Sequence, residues 1–233
     1  MNIALLGYGR MGKSIEAIAL KRGHSIVLKV NTDKDPLDFS NTDVAIDFSL
    51  PNTAVKNIKA ALSAHVPVIS GTTGWLDNYD DIKAFCKAQN GSFIYASNFS
   101  LGVNLFFELN RKLCELMRDF KDYNVTIEEI HHMKKLDAPS GTAISLAQDI
   151  IKSTEYSNWT LGEAQPDSIP INAKRIEDVP GTHEVSYNSQ IDAISIKHVA
   201  HNRKGFALGA VIAAEWIKDK KGIYTMKDVL NIG

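Results

Sequence analysis

The chain has 233 residues, of which 44% are hydrophobic and 23% charged, with a formal net charge of −1. These values are ordinary for one large or two small folded domains and exclude a disordered scaffold. A nearly neutral chain is also unlike proteins that neutralise many phosphates of a nucleic acid, and no apolar run reaches the roughly 20 residues of a membrane-spanning helix.

Strands and helices alternate along the first hundred residues. Short apolar runs predict strands, at residues 2–6, 25–30, 44–48, 67–70 and 93–96. Amphipathic segments bounded by Gly or Pro predict helices, at residues 11–22, 51–62 and 79–88. Residues 31–43 are polar and predict a loop in place of a crossover helix. This alternation indicates parallel βαβ units and therefore an α/β fold with a doubly wound parallel sheet.

The pattern changes after residue 102. It predicts a long helix at residues 103–120 and a second at 140–151, with strands at 125–130, 172–177, 183–187 and 191–199. A second, α+β domain with a mixed or antiparallel sheet is expected. Helices at 206–217 and 226–232 return to the first domain. The expected division is therefore 1–102 with 205–233, and 103–204.

A glycine motif follows the first strand. Gly7, Gly9 and Gly12 form GxGxxG at the start of a helix, the pattern of a Rossmann-type dinucleotide site. The same stretch also satisfies GxxxxGK[ST], which would make it a phosphate loop with Asp47 as a metal ligand. The motif alone fits both chemistries. Its place in a βαβ unit of about 30 residues favours the dinucleotide.

The choice between NAD and NADP is open in the sequence. Asn31 ends the second strand, where an acid that binds the NAD ribose is common. An asparagine can bond a ribose hydroxyl without repelling a 2′-phosphate, and Lys34 or Arg10 could attract one. Loops at 71–74 (GTTG) and 96–100 (ASNFS) follow the next strands of the sheet. They are expected to converge on the nicotinamide end, with ordinary turn chemistry as the alternative.

The segment 128–143 reads EEIHHMKKLDAPSGTA. It concentrates titratable groups between a strand and a helix, namely His131, His132, Lys134 and Lys135. No metal site is expected, because adjacent histidines point in different directions and no third ligand follows at a suitable spacing. An exposed basic loop is the simpler alternative. Pro139 and Ser140 predict a helix entry that leaves the amides of Gly141 and Thr142 free, so the segment suits a carboxylate and contains a proton donor.

The HHxxKxDAPSGTA stretch, together with GxGRMG, GTTG and NFS in that order, resembles the dihydrodipicolinate (4-hydroxy-tetrahydrodipicolinate) reductase family of bacterial lysine biosynthesis. The resemblance covers residues 3–217. It implies that NADH or NADPH reduces 4-hydroxy-tetrahydrodipicolinate to tetrahydrodipicolinate by hydride transfer with loss of water. It also implies a cytoplasmic homotetramer built through the second domain, and a role in lysine and diaminopimelate biosynthesis.

The resemblance also assigns roles to residues. It implies His131 as general acid/base, Lys135 as proton donor, and His132, Gly141 and Thr142 as substrate-binding residues. It implies a set of cofactor-binding residues, which are Gly7, Tyr8, Gly9, Arg10, Met11, Gly12, Asn31, Gly71, Thr72, Thr73, Ala96, Ser97, Asn98 and Phe99. Ser97 replaces a proline that is frequent in the family.

Two other functions fit parts of the sequence. A non-catalytic, nucleotide-sensing Rossmann module would keep the glycine motif without the histidine and lysine constellation. A P-loop NTPase would use the second pattern in the glycine stretch. A small dicarboxylate is the expected partner, with no nucleic acid and no membrane. His198, His201 and Arg203 are further candidates for carboxylate contact, with packing as the alternative. Residues 1–9 lack a basic leader, which predicts a cytoplasmic protein.

Overall fold

The computed structural model describes residues 1–32, 34–202 and 204–232. The chain divides into two compact units, Met1–Asn104 with Lys204–Gly233, and Leu105–Arg203. These bounds lie close to the division expected from the change of pattern. No helix within the described ranges has both the length and the apolarity needed to cross a bilayer.

The first unit follows the predicted alternation. Its elements before residue 100 are β1 Asn2–Leu6, α1 Arg10–Lys21, β2 Ser25–Val30, β3 Val44–Asp47, α2 Pro51–Ser63, β4 Val68–Ser70, a 3-10 helix Leu76–Asn78, α3 Tyr79–Ala88 and β5 Ser92–Tyr95. Helix α4, Leu101–Met117, follows. The elements of the second unit are β6 Asn124–His131, α5 Gly141–Ile151, β7 Asn158–Leu161, β8 Ser168–Arg175, β9 Gly181–Asn188 and β10 Ala193–Ala200. The chain ends with α6 Lys204–Ile217, β11 Gly222–Tyr224 and α7 Met226–Leu230.

The first sheet has the order β11-β5-β4-β3-β1-β2, and its neighbouring strands are parallel. The strands β1, β3, β4 and β5 are buried on both faces, which explains why they are continuous apolar runs, whereas exposed residues alternate with half-buried or buried ones along the edge strand β2. Along β1, Ile3 and Leu5 enter the core shared with α1 and α6, whereas Ala4 and Leu6 enter the core under α2. The predicted doubly wound parallel sheet is confirmed. The sequence does not predict β11, because its three residues carry too little pattern.

The second sheet has the order β10-β9-β6-β8-β7. Strand β8 is parallel to both β6 and β7, and β9 is antiparallel to β6 and β10, so the sheet is mixed as expected. Apolar side chains of α4, α5 and the sheet form one core. The sequence does not predict β7, and the predicted start of β8 lies four residues after the observed one. The late predicted start of β8 is due to Pro170, which lies inside this strand although proline lacks the backbone N–H that a central strand uses.

Candidate active site

The glycine turn after β1 is shaped by close backbone contacts. Gly7 has a φ of +97°, and a Cβ there would lie 2.2 Å from the carbonyl oxygen of Phe48. A Cβ on Gly12 would lie 2.3 Å from the carbonyl oxygen of Gly7. Both positions therefore need glycine for the turn itself. Gly9 differs, since a Cβ there would enter open space. The space that a side chain would fill at Gly9 is therefore open to a ligand.

A cavity of about 540 Å³ opens beside this turn, at the carboxyl ends of β1, β2 and β3. Four of the expected cofactor-binding residues line it, namely Gly7, Tyr8, Gly9 and Asn31. Asp35 also lines it, and its carboxylate accepts the backbone N–H groups of Asn31 at 2.6 Å and Thr32 at 2.8 Å. Both hydrogen bonds lower the pKa of Asp35, and the bond from Thr32 has the larger effect. The cavity therefore contains an anionic group at the tip of β2, which the sequence analysis missed.

The cavity fits a dinucleotide. Its volume lies in the range of small-molecule sites, and the open space at Gly9 admits a pyrophosphate close to the backbone. Helix α1 begins at this point, and within the described residues no side chain caps its first amides. Those amides and the helix dipole favour an anion. The residues present are therefore compatible with NAD(P)H.

The remaining expected cofactor-binding residues do not line this cavity as the described residues define it. Arg10, Met11 and Gly12 belong to the first turn of α1.

A Cβ on Gly71 would lie 2.3 Å from the ring of Phe48. Thr73 and Ser97 are exposed, and Ala96 packs against the core. Asn98 accepts the Ser100 amide at 2.8 Å. Phe99 is a core residue, 1% exposed, with its ring 5.7 Å from that of Phe48. A role at the nicotinamide end stays a prediction for the residues of the loops at 71–73 and 96–99, and a role in binding the coenzyme stays one for Arg10, Met11 and Gly12.

Asp47 holds two loops of this unit together. It is fully buried at the end of β3 and accepts the hydroxyls of Ser49 at 2.6 Å and of Ser70 and Thr72 at 2.8 Å. The side-chain amide of Asn57 donates to it at 3.3 Å. Burial raises the pKa of Asp47 despite these donors. The carboxylate thus ties the loop after β3 to the GTTG loop after β4.

This arrangement is incompatible with a phosphate loop. Helix α1 already begins at Arg10, two residues before Gly12, so the stretch from Gly7 to Gly12 does not form the full anion-binding loop of that motif. The side chain of Asp47 is surrounded by protein donors, so it is not placed as a metal ligand. The second interpretation of the glycine stretch is therefore wrong.

The expected catalytic histidine lies in the second unit, at the end of β6. His131 is 8% exposed and shares the inward face of the strand with Val125 and Ile127. Its Nδ1 lies 3.3 Å from Oε2 of Glu129, and its ring centroid lies 5.0 Å from that of His183, nearly edge-on. The imidazole is therefore fixed by buried neighbours on one side.

The loop after β6 carries the other expected groups. Nζ of Lys135 donates to both carboxylate oxygens of Asp137 at 2.8 Å. His132 is half-buried and lines a cavity of about 390 Å³ together with Lys134. The structure thus brings His132 to a concave surface, and it gives Lys135 a partner that the sequence analysis did not foresee.

Helix α5 begins where the sequence predicts. Ser140 caps it by accepting the Ala143 amide at 3.2 Å, and the helix itself starts at Gly141. The amides of Gly141 and Thr142 have no acceptor within the part of the chain that the structure describes. Free amides at the positive end of a helix suit a carboxylate. The predicted helix entry is present, and its role in binding a carboxylate stays a prediction.

The structure adds a buried group that the sequence analysis did not single out. Glu129, fully buried, accepts Nη1 and Nη2 of Arg175 at 3.2 Å on Oε1 and the Ser140 amide at 3.1 Å on Oε2. Ligand atoms of Glu129, His131 and His183 lie within 4.8 Å of one another. Because protein donors already occupy both carboxylate oxygens, we assign no metal to this group. Its signal in the sequence is an acid in the inward register of an otherwise apolar strand.

Two further histidines lie near this face, of which His183 is buried and His198 half-buried. Burial, and then the charge of His131, lowers the pKa of His183 to about 4. Burial also lowers the pKa of His198, whose ring lies 5.9 Å from that of Phe106. His198 therefore resembles a packing residue. His201 is exposed, and Arg203 lies outside the described residues.

Comparisons with known proteins agree with both units. The family models described as dihydrodipicolinate reductase, N-terminus, and dihydrodipicolinate reductase, C-terminus, match residues 1–99 and 102–230. The chain is 58% identical to a 4-hydroxy-tetrahydrodipicolinate reductase of Christiangramia forsetii over 99% of this chain and 98% of that protein. It is 38% identical to one of Methanoculleus marisnigri over 84% of this chain and 79% of that protein.

A solved structure shows the same fold. The dipicolinate-bound dihydrodipicolinate reductase of Paenisporosarcina sp. TG-14 superposes with a TM-score of 0.78 at 22% identity, over 97% of each chain. The fold is also seen, at 9% identity and a TM-score of 0.62, in an amine dehydrogenase of Mycobacterium smegmatis, over 97% of this chain and 95% of that one. The chain therefore belongs to the dihydrodipicolinate reductase family, the NAD(P)H-dependent oxidoreductases of lysine and diaminopimelate biosynthesis.

Proposed function

We propose that this chain reduces 4-hydroxy-tetrahydrodipicolinate to tetrahydrodipicolinate with loss of water, and that His131 is its general acid/base and Lys135 a proton donor. The observation that carries the proposal is the grouping of His131, Lys135 and the free amides of α5 on one loop and its two flanking elements. A chain of this family without these groups would give no structural support for the two roles.

The first unit holds the coenzyme in this proposal. NAD(P)H supplies the hydride. The turn from Gly7 to Gly12 binds its pyrophosphate at the start of α1, and Asn31 bonds a ribose hydroxyl at the tip of β2. The loops at 71–73 and 96–99 are assigned to the nicotinamide end on the resemblance to the family. Asp47 keeps the first of these loops in place through Thr72.

The second unit binds and protonates the substrate. The amides of Gly141 and Thr142 and the imidazole of His132 provide donors for a carboxylate of the substrate. Reduction of a conjugated cyclic imine needs a proton at the carbon next to the one that receives the hydride, and a histidine near neutrality can supply it. The ammonium of Lys135 is paired with Asp137. To act on the substrate, it must leave Asp137 and contact either the substrate carboxylate or the atom that accepts its proton.

Assembly and location complete the proposal. The exposed strand β10 presents Ile194 and Val199, which are 42% and 46% exposed in the single chain. Apolar side chains on an edge strand favour burial against another copy, so we propose a homotetramer that forms through the second unit. A cytoplasmic location follows from the biosynthetic role.

The roles are tested by steady-state kinetics of single variants. We expect His131→Gln and Lys135→Ala each to lower kcat by about 10² or more, the usual scale for lost acid catalysis. Lys152→Ala is the control, because Lys152 is 74% exposed and lies at the C-terminal end of α5, away from the loop that carries Lys135. Activity of His131→Gln equal to that of the unmodified chain would remove the proposed role of the histidine.

A further inference from the structure

The carboxylate of Glu129 is buried on the inward face of β6. Successive inward residues of this strand are Val125, Ile127, Glu129 and His131, and Glu129 has no exposed surface. Placing an acid in an apolar core is costly unless it is paired and hydrogen-bonded. A group kept at such a position is therefore expected to have partners that use its charge.

Its partners lie on four different elements. Oε1 accepts both terminal nitrogens of Arg175 on β8, each at 3.2 Å. Oε2 accepts the Ser140 amide at 3.1 Å, at the start of α5. The same oxygen lies 3.3 Å from Nδ1 of His131 and 3.8 Å from Nε2 of His183 on β9. Burial alone would raise the pKa of Glu129, but the neighbouring His131 ring and the donors of Ser140 outweigh it and hold that pKa at about 2. The carboxylate is therefore an anion at neutral pH.

The ion pair of Glu129 with Arg175 also organises the loop between β6 and α5. Besides Glu129, Nη2 of Arg175 donates to the carbonyl oxygen of Asp137 at 2.6 Å. Glu129 thus fixes the far end of the loop through Ser140 and its middle through Arg175. His131, Lys135 and the free amides of α5 belong to this loop or flank it. Their arrangement depends on one buried anion.

The imidazole of His131 has one charged neighbour on its Nδ1 side. Within the described residues, Nδ1 has no hydrogen-bond partner with good alignment, and Oε2 of Glu129 lies beside it at ion-pair distance. A carboxylate at Nδ1 favours the tautomer that carries its proton there and stabilises the imidazolium. The other ring nitrogen, Nε2, then exchanges the proton. In an unliganded site such contacts are often long and tighten with substrate.

We propose that Glu129 is a positioning residue for His131: it holds the imidazole in the tautomer that exchanges a proton at Nε2 and stabilises the protonated ring. This inference rests on the proposed function of His131. Within the described residues, the titratable groups beside the imidazole are Glu129 on its own strand and His183 on β9. Arg175 lies opposite His131 in the pairing of β6 with β8, and Lys135 lies on the loop that follows β6. Arg175 opposes the effect of Glu129, because its positive charge draws on the same carboxylate.

This opposition gives a test that separates an electrostatic role from a structural one. We would measure kcat and KM against pH for the full chain and for Glu129→Gln and Arg175→Gln. Glu129→Gln should lower kcat by roughly tenfold or more, with a smaller change in substrate KM, and should move the pH profile of kcat by about one unit to lower pH. Arg175→Gln should move the profile to higher pH.

A role in folding alone makes a different prediction. Each substitution leaves one buried charge without its partner, so both should lower stability to a similar extent. Damage of that kind lowers activity without displacing the two profiles in opposite directions. Profiles that superimpose on that of the unmodified chain after scaling would overturn the proposal. If Glu129→Gln does not fold, the double variant Glu129→Gln/Arg175→Met leaves no unpaired charge and should still move the profile to lower pH.

His131→Gln in the same series distinguishes the two proposals. If His131→Gln retains full activity, the proposed function of the histidine fails. If it loses activity while Glu129→Gln keeps the kcat and pH profile of the unmodified chain, only the inference about Glu129 fails.

Discussion

Lys135 donates from Nζ to both carboxylate oxygens of Asp137, at 2.8 Å each. The ammonium proposed to give a proton is therefore already paired within its own loop. Asp137 is 61% exposed, so the pair is accessible to solvent and to a competing carboxylate. Its hydrogen bonds from Lys135 lower the pKa of Asp137.

Asp137→Asn tests whether this pair is needed for catalysis. A solvent-exposed ion pair contributes at most about 1 kcal/mol, so we expect the free energy of unfolding to change by less than this. Because the ammonium remains, kcat should stay within roughly threefold of the unmodified chain, far from the loss expected for Lys135→Ala. Chemical denaturation and initial-rate kinetics measure the two quantities. An equal loss of kcat in both variants would mean that the pair, and not the ammonium, is the working unit.

Two alanine substitutions in the glycine turn should have different effects. In Gly9→Ala the new Cβ enters open space in the cofactor cavity, so we expect KM for the coenzyme to rise by about tenfold or more, with less than about 1 kcal/mol lost in stability. In Gly12→Ala the Cβ would lie 2.3 Å from the carbonyl oxygen of Gly7, so overpacking should also lower stability by about 1–3 kcal/mol. Coenzyme titration and thermal unfolding separate the two. Normal coenzyme affinity in Gly9→Ala would contradict the placement of the pyrophosphate.

Asn31 at the tip of β2 should influence the choice of coenzyme. Asn31→Asp places a second carboxylate in the cavity beside Asp35, and a 2′-phosphate would be repelled by it. We expect KM for NADPH to rise by about tenfold, equivalent to about 1.4 kcal/mol, while KM for NADH changes little. Asn41→Asp is the control, because Asn41 is exposed and does not line the cavity. Equal changes in KM for both coenzymes would contradict the placement of the adenosine ribose beside Asn31.

The low pKa of His183 predicts a pH dependence of stability. Burial first, then the charge of His131, depresses this pKa from 6.5 to about 4 in the folded state. Between these values the unfolded chain binds a proton that the folded chain does not, so stability falls as pH falls from about 6.5 to about 4. We expect His183→Gln to show a weaker loss over this range in denaturation curves.

An exposed histidine provides the control for this effect. His65→Asn changes a surface residue with a φ of 57°, a conformation that asparagine tolerates. This variant should follow the unmodified chain across the same range of pH. If His183→Gln follows it as well, His183 does not carry the acid sensitivity.

Sequence patterns predict much of this molecule because its signals are local. The apolar runs of β1 and β3 and the entry of α5 at Ser140 each depend on neighbouring residues, and the structure has them close to the expected positions. The contacts of Glu129 are not local. Arg175 lies 46 residues away in sequence and reaches Glu129 only because β8 pairs with β6. Strand pairing of this kind is set by tertiary structure and has no counterpart in the local pattern around either residue.

One activity measurement tests the proposed reaction most directly. Purified protein is mixed with enzymatically generated 4-hydroxy-tetrahydrodipicolinate and either NADH or NADPH, and the absorbance of the reduced nicotinamide is followed. We expect substrate-dependent loss of this absorbance for the unmodified chain, at a rate about 10² lower for His131→Gln. No consumption of either coenzyme by a folded unmodified chain would contradict the proposed reaction.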